Sequence, residues 1–246
     1  MTTFKLFLIY LWLALSCVVG FFACLFIPFG VDPTALTANL FSWLALKICR
    51  TTVTYTGLEN LYANTPCIYV CNHQSGMDMA TFGAIYPLNT KIIAKSELRF
   101  VPVFGFFLWF AGHIFINRSK KSSAISGLDK AVAAIRKRRV SIWIFPEGTR
   151  NKTGQGLLPF KKGAFHMAIA AGIPVVPLVS SNIKDICIWE NRFIQGGHVT
   201  ITVLPAISTQ GMTKNDVESL RATVHQKMLD ALEPTTLPPS GSKVHG

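Results

Sequence analysis

The chain has 246 residues; half are apolar by a broad count and only 15% are charged, against roughly 25% in a typical soluble domain. With a mean hydropathy of +0.38, this excludes an ordinary cytosolic globule and points to membrane association. Lysine and arginine number 24 against 12 acidic residues, a net charge of +12; that suits an anionic membrane surface, a phosphorylated substrate or nucleic acid, and the aliphatic content and the missing nucleic-acid motif favour the first two.

Leu6 to Pro28 is apolar, carries no charge and follows Lys5. It is long enough to span a bilayer, which takes roughly 20 residues, and no small-x-small cleavage site follows it. A second run, Ala35 to Cys49, contains Thr37, Asn39 and Ser42 and ends at Lys47 and Arg50; it is short for a span. Between them Gly30-Val31-Asp32-Pro33-Thr34 has turn chemistry, with Asp32 or Thr34 as a helix cap. The pair predicts a membrane-embedded helical hairpin over residues 1–50, dipping into one leaflet or spanning twice. If it closes, Lys5, Lys47 and Arg50 share one face, which positive-inside places in the cytosol. The expected localisation is therefore the membrane, with the active site on its cytoplasmic, inner face.

From Arg50 the pattern changes. Val53–Tyr55, Cys67–Cys71, Lys91–Ala94, His113–Asn117, Val140–Phe145, Val175–Ser180 and His198–Leu204 read as strands. Asp78–Tyr86, the stretch from Ser123 to Arg136-Lys137-Arg138-Arg139, Lys161–Ala171 and Thr213–Leu232 read as helices, the last with Thr213 as N-cap and Asp216 completing a loose capping box. Alternation of the two predicts an α/β domain over 51–233, with a mixed, largely parallel sheet flanked by helices. The Pro- and Ser-rich residues 234–246 read as a disordered tail. Phe100–Ile116 is rich in aromatics but broken by Pro102, Gly105 and Gly112; it fits a buried core helix, or an aromatic surface resting on the bilayer or lining an acyl groove. The six cysteines form no Cys-x-x-Cys pair and read as buried reduced thiols.

Two polar clusters follow strand-like runs: Asn72-His73-Gln74-Ser75-Gly76-Met77-Asp78 and Phe145-Pro146-Glu147-Gly148-Thr149-Arg150. Five residues is about 500° of α-helix, so His73 and Asp78 would not share a face of one helix. They meet if His73 leaves a strand and Asp78 opens the next helix. Asp78 then accepts from one imidazole nitrogen, and the other is left to take a proton from a hydroxyl. Ser75 is a rival nucleophile, without a Gly-x-Ser-x-Gly elbow. Arg150 offers a bidentate fork for phosphate, Gly148 permits close backbone approach, and Glu147 suits orienting a hydroxyl or holding Arg150. Lys95 and Arg118, at other strand ends, add cations to the same sheet edge.

These residues resemble the PlsC-type glycerolipid acyltransferases, specifically the 1-acylglycerol-3-phosphate (lysophosphatidic acid) acyltransferases. Four blocks match in order: residues 72–78 the family's His-x4-Asp motif; Lys95-Ser96-Glu97-Leu98 leading to Ile116-Asn117-Arg118; residues 145–150; and Ile173-Pro174-Val175-Val176-Pro177-Leu178. The likeness covers roughly residues 50–205; Asn117 stands where aspartate is also expected in relatives. The resemblance implies the glycerolipid acyltransferase fold. It implies a reaction in which His73 is general base and Asp78 orients it, while Lys95, Arg118 and Arg150 hold the acceptor's phosphate and Glu147, Gly148 and Thr149 help shape the site. The acceptor would be lysophosphatidic acid, acylated at its sn-2 hydroxyl to phosphatidic acid. The co-substrate would be acyl-CoA or acyl-carrier protein, with no metal and no redox cofactor. Membrane lipids are the expected partner, and nucleic acid is not. A rival keeps the fold and changes the acceptor to a lyso-ornithine lipid, a lysophospholipid or glycerol 3-phosphate. A non-enzymatic lipid-binding scaffold would leave His73 structural.

Overall fold

The computed structural model describes residues 2–26, 32–117, 121–153 and 155–232, with side chains 121–125 outside the description. Pro28, Gly30, Val31, Arg118 and the tail 234–246 also lie outside the described residues. In chain order the elements are α1 (Thr2–Phe26), α2 (Pro33–Cys49), β1 (Thr51–Thr56), α3 (Glu59–Tyr62), β2 (Ile68–Cys71), α4 (Asp78–Thr81), β3 (Thr90–Lys95), α5 (Phe104–Phe110), β4 (Ile114–Ile116), α6 (Lys121–Arg138), β5 (Ser141–Ile144), α7 (Gly163–Ala171), β6 (Val175–Ser180), β7 (Cys187–Ile188), β8 (Phe193–Ile194), β9 (Gly197–Val203) and α8 (Val217–Leu232).

Among the described residues seven strands form one sheet, ordered β1-β9-β6-β2-β5-β3-β4. Every neighbouring pair is parallel except β9 with β6, so the mixed, largely parallel sheet is present. The strands β6, β2, β5, β3 and β4 share one direction, and their carboxyl ends line one edge. Ligands of open α/β sheets bind at such an edge. Successive residues of β2 face opposite ways. Tyr69 and Cys71 join a core with Leu6, Ile9, Phe41 and Ala45 of α1 and α2. Ile68 and Val70 join a second core with Ala131, Phe165 and Leu220 of α6, α7 and α8. The result is three layers, with the N-terminal helices covering one face of the sheet.

Helices α1 and α2 lie antiparallel. Trp12 Nε1 donates to the Leu40 carbonyl at 2.9 Å, and a Cβ on Gly20 would lie 1.9 Å from Thr37 Oγ1. Asp32 caps α2, its Oδ1 accepting from Thr34 N at 2.8 Å and Ala35 N at 3.3 Å. Its Oδ2 accepts from Asn89 N at 2.7 Å, which ties the hairpin to the entry of β3. Ser42 Oγ donates to the Ala80 carbonyl at 2.6 Å, so α2 is built into the α/β body. Among the described residues α1 alone is long and apolar enough to cross a membrane by length and composition. Its outer face presents Phe4, Phe7, Leu11, Leu15, Phe22 and Phe26.

Helix 78–86 is shorter than the sequence suggests. It ends at Thr81 and gives way to a 3₁₀ turn at Gly83–Ile85, because its carbonyls are taken by Ser42 and by the Tyr55 hydroxyl, 2.8 Å from Thr81 O. The stretch 100–116 divides. Phe107 and Leu108 are buried with Cys17 and Ala94, whereas Phe100, Phe106, Trp109 and Phe110 are exposed. Phe21 of α1 packs on Phe106 and Phe110, ring centroids 5.4 and 4.9 Å away, so the exposed faces of α1 and α5 are continuous. Thr213 and Asp216 form the expected capping box, but the first turn is 3₁₀ and α8 begins at Val217. All six cysteines are free, five of them buried.

Candidate active site

The loop leaving β2 places His73 over the carboxyl edge, and α4 opens at Asp78. His73 Nδ1 lies 2.6 Å from Asp78 Oδ2. The same oxygen accepts from Gln74 N at 2.6 Å and Ser75 N at 3.1 Å. An oxygen receiving two amide protons is an acceptor, so the imidazole proton sits on Nδ1 and Nε2 is left with a free lone pair. Asp78 is 1% exposed; a carboxylate that deep requires hydrogen-bond donors, and His73 Nδ1 and the two amides supply them. The imidazole, 20% exposed, stacks on Phe145 with centroids 4.1 Å apart. The pair can therefore take a proton from an approaching hydroxyl and stabilise the imidazolium that results.

Ser75 is fully buried. Its hydroxyl donates to Glu190 Oε2 at 3.0 Å and accepts from Met77 N and Trp189 N, both at 3.3 Å. It braces the loop and makes no bond to His73. The Asn72 side chain clamps Ser180 of β6 through both its amide groups, at 2.8 and 2.9 Å. Gln74 reaches the Ser181 carbonyl at 2.9 Å and Ile183 N at 3.1 Å.

The second cluster, after β5, bonds directly to the first. Glu147 is 3% exposed. Its Oε1 accepts from His73 N at 2.8 Å and its Oε2 from Leu158 N at 3.1 Å. Burial pushes its carboxyl above the usual range, while the two amides and the nearby His73 pull the other way. Asn151 N donates to His73 O at 2.7 Å. Glu147 thus fixes the backbone of the histidine, and it is not the residue that holds Arg150. That residue is Glu190, whose Oε1 is 3.0 Å from Arg150 Nη1. Gly148 has φ +72° and a Cβ there would lie 2.8 Å from Lys161 Cε. A side chain at 148 would strain the backbone and displace Lys161. Thr149 is exposed. Lys95, more than half exposed, pairs with Glu97 at 3.1 Å. The two described cations predicted for one phosphate thus have separate acidic partners, and Arg118 lies outside the described residues.

Sequence reasoning missed Glu190 and Lys161. Glu190 sits in a 3₁₀ turn, Trp189–Asn191, between the two-residue strands β7 and β8, too short to show a period. The sequence pattern puts Lys161 at the start of a helix; its N–H instead donates to the Pro146 carbonyl at 2.8 Å, and α7 starts at Gly163. A cleft of about 300 Å³ opens beside Gln74, Arg150, Glu190 and Phe193. Among the described residues no group of three or more His, Cys, Asp or Glu side chains is placed to hold a metal ion.

A base–carboxylate pair on the carboxyl edge of an α/β sheet, flanked by an apolar helical layer, is the arrangement expected of the acyltransferases that the sequence motifs resemble. The chain belongs to the Acyltransferase family, whose model matches residues 52–181. It is 38% identical over 236 residues to the 1-acyl-sn-glycerol-3-phosphate acyltransferase of Salmonella typhimurium, covering 92% of this chain and 93% of that one. It is 39% identical over 224 residues to the enzyme of the same name from Escherichia coli, covering 89% and 88%. The Saccharomyces cerevisiae enzyme of that name is 36% identical over 214 residues, covering 83% and 70%. In fold the chain resembles the crystal structure of PlsC, a 1-acyl-sn-glycerophosphate acyltransferase from Thermotoga maritima. The TM-score is 0.76 at 22% identity, over 98% of this chain and all of that one.

Proposed function

We propose that this protein transfers a fatty acyl group from a thioester, acyl-CoA or acyl-carrier protein, to the sn-2 hydroxyl of lysophosphatidic acid, giving phosphatidic acid. The observation that carries the reading is the 2.6 Å contact between His73 Nδ1 and buried Asp78 Oδ2, on a chain whose full-length relatives are 1-acyl-sn-glycerol-3-phosphate acyltransferases. His73 Nε2 takes the proton of the acceptor hydroxyl as its oxygen attacks the thioester carbonyl. The tetrahedral intermediate collapses, the C–S bond breaks, and the imidazolium returns its proton to the departing thiolate. The products are an ester and a free thiol, and no acyl-enzyme forms. Arg150 supplies a fork for the acceptor's phosphate, with Lys95 and Lys161 as further cations near the same edge.

The continuous apolar face of α1 and α5 rests in one leaflet of the membrane, where both lipidic substrates reside. The basic body then faces the cytosol. A panel of lysolipid and glycerol 3-phosphate acceptors, each offered with acyl-CoA and with acyl-carrier protein, tests the acceptor. Preference for an acceptor without a phosphomonoester would overturn it. A reporter fused after Arg50 tests sidedness, since activity on the far side of the membrane contradicts a cytosolic site.

A further inference from the structure

We infer that Glu190 is a positioning residue that couples Arg150 to the loop joining His73 and Asp78. The inference rests on the reading of Arg150 as a ligand of the acceptor's phosphate. Glu190 lies outside residues 52–181, the stretch matched by the family model, and outside the four sequence blocks. One carboxylate nevertheless makes three contacts with them. Oε1 accepts from Gly76 N at 2.8 Å and pairs with Arg150 Nη1 at 3.0 Å; Oε2 accepts from Ser75 Oγ at 3.0 Å. Gly76 and Ser75 are residues of the turn that brings Asp78 back under His73. The carboxylate therefore touches both halves of the site.

Its own support is rigid. Trp189, next to it, is 3% exposed and packs edge-on against Phe41 and Tyr10, centroids 6.2 and 6.3 Å away. The Trp189 ring also fills the space beside Gly76, where a Cβ would lie 2.8 Å from the indole. Burial opposes ionisation of Glu190, but the backbone amides of Glu190 and Gly76, the Arg150 charge and the Ser75 hydroxyl outweigh it and hold its carboxyl below the usual range. The group is an anion at neutral pH.

Arg150 is 43% exposed, and among the described residues Glu190 is its acidic partner. A half-exposed ion pair contributes little to stability. Its consequence here is orientation. An unpaired guanidinium on a long side chain samples many rotamers, and binding a phosphate then costs the entropy of fixing it. Glu190 engages one Nη, and among the described residues the other N–H groups of the fork have no side-chain partner, which leaves them to an incoming oxyanion. Both residues line the same cleft of about 300 Å³, so the prepared fork faces space that a ligand enters.

The test is steady-state kinetics of Glu190→Gln and Glu190→Ala, each alone and combined with Arg150→Lys, varying acceptor and donor separately, with thermal unfolding as a check on folding. Glu190→Gln keeps an oxygen for the Gly76 amide and loses the charge. It is expected to raise the acceptor KM about tenfold, leaving kcat within about threefold and the donor KM unchanged. Glu190→Ala also releases the loop and lowers kcat. In the Arg150→Lys background the Gln substitution has little further effect on acceptor KM, because the two act through one contact. An unchanged acceptor KM in Glu190→Gln, or equal effects in both backgrounds, overturns the inference while leaving the lysophosphatidic acid reading intact. A wild-type protein that acylates no phosphate-bearing acceptor overturns both.

Discussion

At the scale of single residues, the chemistry depends on how Asp78 is held. Its Oδ2 takes one imidazole and two backbone amide protons, so Asp78→Asn would oppose a donor to donors and select the wrong histidine tautomer. The expected result is a fall in kcat on the order of 10²–10⁴-fold, with KM little changed, measured as acyl transfer by the purified protein. Glu147 has a different duty. Glu147→Ala leaves the half-buried N–H groups of His73 and Leu158 without their acceptor, a cost of about 1–3 kcal/mol in all. Thermal unfolding should show that loss alongside reduced activity, and an unchanged melting temperature would contradict it. The His73–Asp78 partnership was legible because a strand ends and a helix begins within five residues. Glu147 was legible as a site residue but not in its role, since its partners, the amides of His73 and Leu158, are 74 and 11 residues away and follow no local pattern. Glu190 was not legible at all, because its partner Ser75 is 115 residues away and no local pattern records such a contact.

At the scale of elements, small side chains decide how the N-terminal helices dock. A Cβ at Gly20 meets Thr37 Oγ1 at 1.9 Å and Phe107 at 2.7 Å, so α1, α2 and α5 meet at this glycine. Replacing Gly by Val there adds bulk where no room exists and should cost about 1–3 kcal/mol, more than the gain in helix propensity. A denaturation midpoint equal to wild type would refute the close packing. The apolar face shared by α1 and α5 makes its own prediction. Phe106→Ser with Trp109→Ser removes two half-exposed aromatics and should weaken binding to phospholipid vesicles on the order of tenfold, with His73 and Asp78 untouched. Vesicle sedimentation reads this out, and undiminished binding would remove α5 from the membrane face. Periodicity and length revealed α1, α2 and most strands. They did not reveal that α2 is a layer of the domain, because an apolar helix buried on protein and one buried in lipid have the same composition. The break of α4 at Thr81 was hidden for a related reason: it is caused by Ser42 and Tyr55, distant in sequence.

At the scale of the molecule, the common direction of β6, β2, β5, β3 and β4 gathers sequence-distant loops on one edge, and the order of motifs along the chain already foretold that gathering. What the chain order could not foretell was the partition of the cations, Lys95 with Glu97 and Arg150 with Glu190, which depends on side-chain reach. Stability of the whole carries a pH signature from His113. This imidazole is buried, accepts from Ile92 N at 2.9 Å and lies 3.3 Å from Thr34 Oγ1. Burial and then the Lys91 charge lower its pKa from 6.5 to about 3. The unfolded chain binds a proton at this residue below about pH 6.5 and the folded chain does not, so stability falls as pH drops from there toward 3. Unfolding midpoints measured from pH 7 to 4 should decline, and the slope should flatten in His113→Asn. A slope that His113→Asn leaves unchanged would assign the decline to other groups. The central claim is that His73, poised by Asp78, activates the acceptor hydroxyl. The most direct measurement compares phosphatidic acid formation from lysophosphatidic acid and an acyl thioester by the wild-type protein and by His73→Ala, both bound to the same vesicles. The account predicts turnover by wild type and a loss on the order of 10²–10⁴-fold in the variant with vesicle binding retained; comparable turnover by the two proteins would contradict it.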